Sequence, residues 1–204
     1  PEALLVLPGS TEGLVEDFLR EQNPVLEFTR IKDISLDQVR FLVVVDTHAP
    51  ERIGFFGPLM DNPDVEVHIY HHHPELQPNL NGGQVVIKER GSTTTILYEI
   101  LLAKNVPLTP EECTLMVLGI YQDTHSLVTV STTPEDLIAA SDLIKRGADL
   151  SLVSSFMRQT LNSEQLDIFN ELVSSMENHV VNGVEVTLAT ASSDYFVQDL
   201  AYVV

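Results

Sequence analysis

The sequence predicts an α/β fold with a mostly parallel sheet flanked by helices, and three features carry that expectation. Apolar, strand-like runs at Ala3–Leu7, Phe41–Val45 and Val65–Tyr70 alternate with helical patterns up to about residue 125. The second and third runs each lead into a polar segment, Asp46-Thr47 and His71-His72-His73. Ligands at strand ends can converge at one edge of a parallel sheet, where open α/β folds place their sites.

The elements follow in order. Ala3–Leu7 reads as a buried strand, Pro8-Gly9-Ser10 as a turn, and Thr11–Arg20 as a helix with apolar residues at 14, 15, 18 and 19. Val25–Phe28 is a short strand and Phe41–Val45 a strong one. Pro50–Leu59 is expected to hold a short helix, with Pro50 suited to the first turn and Gly54 and Gly57 limiting its length. Val65–Tyr70 alternates apolar and polar residues as a strand does. Pro74–Gly83 is a loop and Gln84–Ile87 a brief strand.

Ser92 or Thr93 then caps a helix whose apolar stripe is Ile96, Leu97, Ile100 and Leu101. Thr109-Pro110-Glu111-Glu112 is a capping-box pattern opening a helix to about Tyr121. Thr133-Pro134-Glu135-Asp136 repeats it, for a helix to about Lys145 that Gly147 stops. Leu152–Met157 and Ser163–Met176 are further helices. Asn182-Gly183 is a hairpin signal between His179–Val181 and Val184–Ala189, so something different begins there.

Composition narrows the function classes. The chain has 204 residues, 44% of them hydrophobic, enough for a full core and a small second unit. A single cysteine, Cys113, excludes an internal disulfide framework and fits a reducing, cytoplasmic setting; its apolar surroundings favour packing over reactivity. No run approaches the ~20 apolar residues of a membrane span. The net charge of −19 argues against duplex nucleic-acid binding, which needs Lys and Arg on phosphates. It leaves metal-assisted phosphate chemistry open, because bound cations reverse the local field. The Pro1-Glu2 opening and the apolar Leu200–Val204 ending lead to the expectation of an internal piece of a longer protein.

The chemistry concentrates in Tyr70-His71-His72-His73-Pro74. Neutral imidazole binds divalent transition metals, and carboxylates complete sites for Mn or Mg. Asp46 ends one apolar run and Asp123 another, Leu118–Gln122, and a threonine follows each. The competing reading is a solvated histidine loop with two unrelated turn aspartates.

Four segments in order resemble the DHH phosphoesterases, named for an Asp-His-His motif. They are Val43-Val44-Val45-Asp46-Thr47 with Arg52-Ile53-Gly54, then Tyr70–Pro74, then Gly91-Ser92-Thr93-Thr94-Thr95, then Gly119–Thr124. Members include RecJ-type exonucleases, oligoribonucleases, cyclic-dinucleotide phosphodiesterases and family II inorganic pyrophosphatases. The resemblance implies Asp46, His72 and Asp123 as ligands of a two-metal centre, usually Mn2+ with Mg2+ an alternative, and His73 facing the substrate phosphate. Gly91 and Ser92 could hold a phosphate at a helix N-terminus, with capping an equal role for Ser92. The substrate implied is a nucleotide or short oligonucleotide; inorganic pyrophosphate is the rival, and a homodimer stays open.

Three departures qualify the match. The first motif of the family, a His and two Asp ligands, has no counterpart here. His71 stands where the naming motif has aspartate, and His125 where glycine is common. With Thr47 and Thr124, these two imidazoles are expected around the ligands, His125 pairing with His71, while His48 and His68 are expected in solvent or behind the ligands. The expected organisation is a phosphoesterase domain over 1–160, a linker helix over 161–178 and the opening of a DHH-associated domain over 179–204. The Leu5–Ser10 opening resembles the subgroup whose DHH region precedes CBS repeats and a poly(A) polymerase or tRNA nucleotidyltransferase module. That subgroup offers the alternative of a non-catalytic nucleotide- or metal-binding regulatory domain. The chain as it stands is expected to bind metal weakly and hydrolyse little.

Overall fold

The computed structural model describes residues 3–7, 28–73, 83–157, 161–197, 200 and 203. They fall into two compact units, one up to Met157 and one from Leu161 onward. The expected helix Thr11–Arg20, most of the strand Val25–Phe28, nearly all of the loop Pro74–Gly83 and part of Asp194–Val204 lie outside the described residues.

The first unit is α/β. Strands β1 (Phe41–Val45), β2 (Glu66–His71) and β3 (Gly83–Ile87) form a parallel sheet in that order, with Val45 opposite Tyr70 and Tyr70 opposite Val86. Period-2 alternation puts Val44, Val67 and Ile69 on a buried face, where they pack with Ile53, Phe56, Leu59 and Met60. Those last four lie in Pro50–Asp61, where the expected short helix takes the form of 3-10 turns. Gly54, at φ 52°, and Pro58, with no N–H to donate, both interrupt an i to i−4 ladder there. Of the expected strand Ala3–Leu7, the described residues show a parallel bridge from Leu5 to Phe28 with the Thr29 N–H donating to the Leu5 carbonyl, and Leu4, Leu5 and Leu7 are exposed.

Four helices follow: α1 (Thr93–Ala103), α2 (Pro110–Thr124), α3 (Pro134–Lys145) and α4 (Leu150–Met157). Ser92 caps α1 by accepting the Thr95 N–H, and Thr109 with Glu112 closes a reciprocal capping box on α2. Thr133 with Asp136 does the same for α3, which ends before Gly147 at φ 108°. Tyr98, Cys113, Val117, Ile120, Ala139, Leu143 and Val153 form the core between these helices, so Cys113 is a packing residue.

The second unit contains α5 (Ser163–Ser174), boxed by Asn162 and Gln165, and a hairpin of β4 (Glu177–Val181) and β5 (Val184–Leu188). Asn182 and Gly183 both take positive φ, as a two-residue turn between twisted strands requires. Ser175 joins the helix to the strand end, its hydroxyl donating to the Thr190 carbonyl and accepting the Thr190 N–H. Ile168, Val197 and Val203 make its small core. Among the described residues no helix is long and apolar enough to cross a membrane.

Candidate metal centre

Sheet order and register bring the site together. Asp46 is the first residue past β1, and its N–H donates 2.9 Å to the Tyr70 carbonyl of the neighbouring strand. That bond sets Asp46 beside the end of β2, where His72 follows His71. Asp46 takes a left-handed φ of 63°, a conformation that aspartate tolerates better than most residues. Asp123 comes from the last turn of α2. The ligand atoms of Asp46, His72 and Asp123 all lie within 4.8 Å of one another, and among the described residues no other group of three His, Cys, Asp or Glu donors converges so closely.

The surrounding bonds orient each group. His72 Nδ1 lies 3.1 Å from the Arg90 carbonyl. A carbonyl only accepts, so Nδ1 carries the proton and neutral His72 leaves Nε2 bare. Nε2 faces Asp46 Oδ1 at 3.6 Å. Thr93 then links both carboxylates: its hydroxyl donates 2.7 Å to Asp46 Oδ1, and its backbone N–H hydrogen-bonds Asp123. Burial, then the charge of Asp46, pushes the Asp123 carboxyl up to about 6 against the pull of His72 and Thr93. Two carboxylates in mutual repulsion beside a bare imidazole nitrogen are a donor set that a divalent cation satisfies.

The other predicted residues divide. His73 is exposed, with its ring centroid 4.0 Å from that of His72. His71 is buried, and its ring contacts are with His48, His72 and His73. The expected pairing with His125 is not observed, since His125 is exposed and takes the left-handed C-cap of α2. Thr47 accepts the Ala49 N–H, and buried Thr124 donates to the Ile120 carbonyl, so both hydroxyls stabilise their own turns. The Gly91 N–H donates 2.7 Å to Asp136, and Ser92 is fully buried as the α1 cap. For Ser92 the geometry therefore favours capping over phosphate contact.

Asp136 and Thr93 are the residues that sequence reading missed. Fully buried Asp136 accepts from the Gly91 N–H, the Thr95 hydroxyl and both N–H and hydroxyl of Thr133. Burial raises its carboxyl, but these bonds outweigh that and hold it below the usual range. It thereby clamps the start of α1, where Thr93 sits. Gly91 is needed there, since a Cβ would meet Asp136 Oδ2 and Thr124 Cγ2 at 2.6 Å. The capping box marked Asp136 as a helix residue, but nothing local signalled its reach across 45 positions.

Solved structures share this architecture. An exopolyphosphatase-related protein from Bacteroides fragilis superposes with a TM-score of 0.69 at 15% identity, covering 85% of this chain and 52% of that one. A candidate family II inorganic pyrophosphatase from Methanococcus jannaschii gives 0.59 at 16%, covering 90% and 62%. The chain has the DHH phosphoesterase fold. This DHH-type chain is also 43% identical over 202 residues to the A-adding tRNA nucleotidyltransferase of Geobacter sulfurreducens, which covers 98% of it. It is 31% identical over 160 residues, or 78% of its length, to the A-adding tRNA nucleotidyltransferase of Aquifex aeolicus. It spans 23% and 18% of the lengths of those two proteins. No protein-family model matches the chain.

Proposed function

We propose that this domain is a divalent-metal-dependent phosphoesterase, acting on a nucleotide or a short oligonucleotide, with Mn2+ as the preferred ion and Mg2+ as a substitute. The observation that carries this is the convergence of Asp46, His72 and Asp123, with His72 held in its ligating tautomer. A bound ion would activate water and neutralise charge developing on phosphorus. Asp46 and Asp123 would hold it by charge and His72 by Nε2, while Thr93 fixes the Asp46 oxygen through its hydroxyl. His73, exposed beside His72, donates a hydrogen bond to the substrate phosphate. In this reading 161–178 links the domain to a substrate-binding one opening at 179–204.

A second reading, a non-catalytic nucleotide- or metal-binding domain, is favoured by two observations. The curated relatives are named as nucleotidyltransferases, and His71 replaces the aspartate of the naming motif. Incubating the chain with Mn2+ and a dinucleotide, a nucleoside bisphosphate or pyrophosphate separates the readings. Release of a nucleotide product that disappears in Asp46→Asn and Asp123→Asn supports the hydrolase. Metal binding with no turnover of any of the three supports the binding domain, and turnover of pyrophosphate alone supports the pyrophosphatase.

A further inference from the structure

The peptide that joins Arg90 to Gly91 is hydrogen-bonded at both of its ends. Its carbonyl accepts from His72 Nδ1 at 3.1 Å, and its N–H donates 2.7 Å to Asp136 Oδ2. In a trans peptide these two groups point in opposite directions, so His72 and Asp136 meet opposite sides of one rigid plane. Burial raises the Asp136 carboxyl, but bonds from Thr95, Thr133 and Gly91 outweigh it, so this fully buried group is ionised at neutral pH. Its contact with the Gly91 N–H is therefore charge-assisted. The chain leading into the peptide is tethered as well. Lys88 Nζ and Arg90 Nε donate 2.6 Å and 2.7 Å to the two oxygens of Glu99 on α1, and the Lys88 N–H reaches the His71 carbonyl at 3.3 Å.

We propose that Asp136 is a positioning residue for the metal centre and acts on His72 through the Arg90–Gly91 peptide. A carboxylate on the N–H side polarises the peptide and makes its carbonyl a stronger acceptor, because hydrogen bonds in series reinforce one another. The stronger acceptor pulls on the Nδ1 hydrogen and leaves Nε2 a better donor to a cation. Metal-ligating histidines commonly give their far N–H to a carboxylate or a carbonyl, which orients the ring and raises its basicity. Here a carbonyl makes the contact and a buried carboxylate stands behind it. This action is separate from the clamp on α1, which reaches the site through Thr93. It rests on the reading of His72 as a metal ligand, and metal-free spectra test it apart from that reading.

Long-range 1H–15N spectra of the metal-free chain at pH 7.5 read the effect at His72 itself. In Asp136→Asn the His72 Nδ1 proton should move upfield, as its hydrogen bond weakens. Thr133→Val should do the reverse. The Thr133 hydroxyl donates 2.7 Å to the same Oδ2 as Gly91, so its loss leaves more charge for the Gly91 N–H and moves the His72 proton downfield. A purely structural role would loosen the site in both variants and move both protons the same way. Calorimetric Mn2+ affinity should follow the proton, falling about tenfold in Asp136→Asn and not falling in Thr133→Val. If Asp136→Asn does not fold, the sign of the Thr133→Val shift decides. A His72 proton unmoved in folded Asp136→Asn, or moved upfield in Thr133→Val, overturns the proposal. Shifts of the expected signs in a chain that takes up no Mn2+ would uphold the action of Asp136 on His72 and sink the proposed function instead.

Discussion

His72 gives its Nδ1 hydrogen to the main-chain carbonyl of Arg90, 18 residues away, and so presents a bare Nε2 to Asp46. The bond fixes tautomer and ring orientation together, which is what a metal-ligating histidine requires of its far nitrogen. Long-range 1H–15N spectra at pH 7.5 should therefore show His72 as the Nδ1–H tautomer, and Mn2+ should broaden its signals early in a titration. An Nε2–H signal for His72 would contradict the geometry.

Thr93 serves both carboxylates at once, so its hydroxyl should matter beyond its own size. Thr93→Val removes the bond to Asp46 and is expected to cost about 1 kcal/mol of stability. It should also weaken Mn2+ binding roughly tenfold, the scale of other groups that orient metal ligands. Thr93→Ser should restore both, as read by thermal unfolding and calorimetry.

Asp123 should trade stability for binding. Its folded-state carboxyl titrates at about 6, above its usual value of 3.8. The metal-free folded state therefore holds a proton that the unfolded chain has released between those values. Its contribution to stability is full below about pH 4 and is lost as pH rises through 6. Asp123→Asn should accordingly raise the unfolding temperature in EDTA at pH 7.5 and flatten that pH dependence. The same variant should abolish the stabilisation that Mn2+ gives to the wild type. In the wild type that stabilisation should grow as pH rises through 6, because the ion binds the ionised carboxylate.

Buried Asp136 accepts four hydrogen bonds, more than an amide oxygen can take. Asp136→Asn should cost about 2–3 kcal/mol, since the amide hydrogens would face donors. Urea unfolding gives the stability, and a parallel Mn2+ titration should show the site loosened through Thr93. Unchanged stability would mean that Asp136 does not clamp the start of α1.

What could be read from the sequence was what local chemistry decides. The boxes at Thr109–Glu112 and Thr133–Asp136 and the Asn182-Gly183 turn are hydrogen bonds and dihedrals within four residues, and the structure carries each of them. The order of Asp46, His72 and Asp123 along the chain was legible because each follows an apolar element that ends at the same edge. The bonds from Thr93 to Asp46 and from Gly91 to Asp136 were not, because they join residues 47 and 45 positions apart. His48 was set aside as solvent-facing or behind the ligands, and only the fold shows its ring packed on His71. The Pro50–Asp61 segment was legible as a short helix broken by glycine, but not its 3-10 form, since Gly54 and Pro58 interrupt an α-helical ladder.

The most direct test is a calorimetric Mn2+ titration of the chain at pH 7.5 against its Asp46→Asn, His72→Gln and Asp123→Asn variants. One Mn2+ per wild-type chain is expected, weakened at least tenfold by each single change, with all three variants still folded by circular dichroism. Binding that is absent from the wild type, or that survives all three substitutions unchanged, would show that these residues do not form a metal centre.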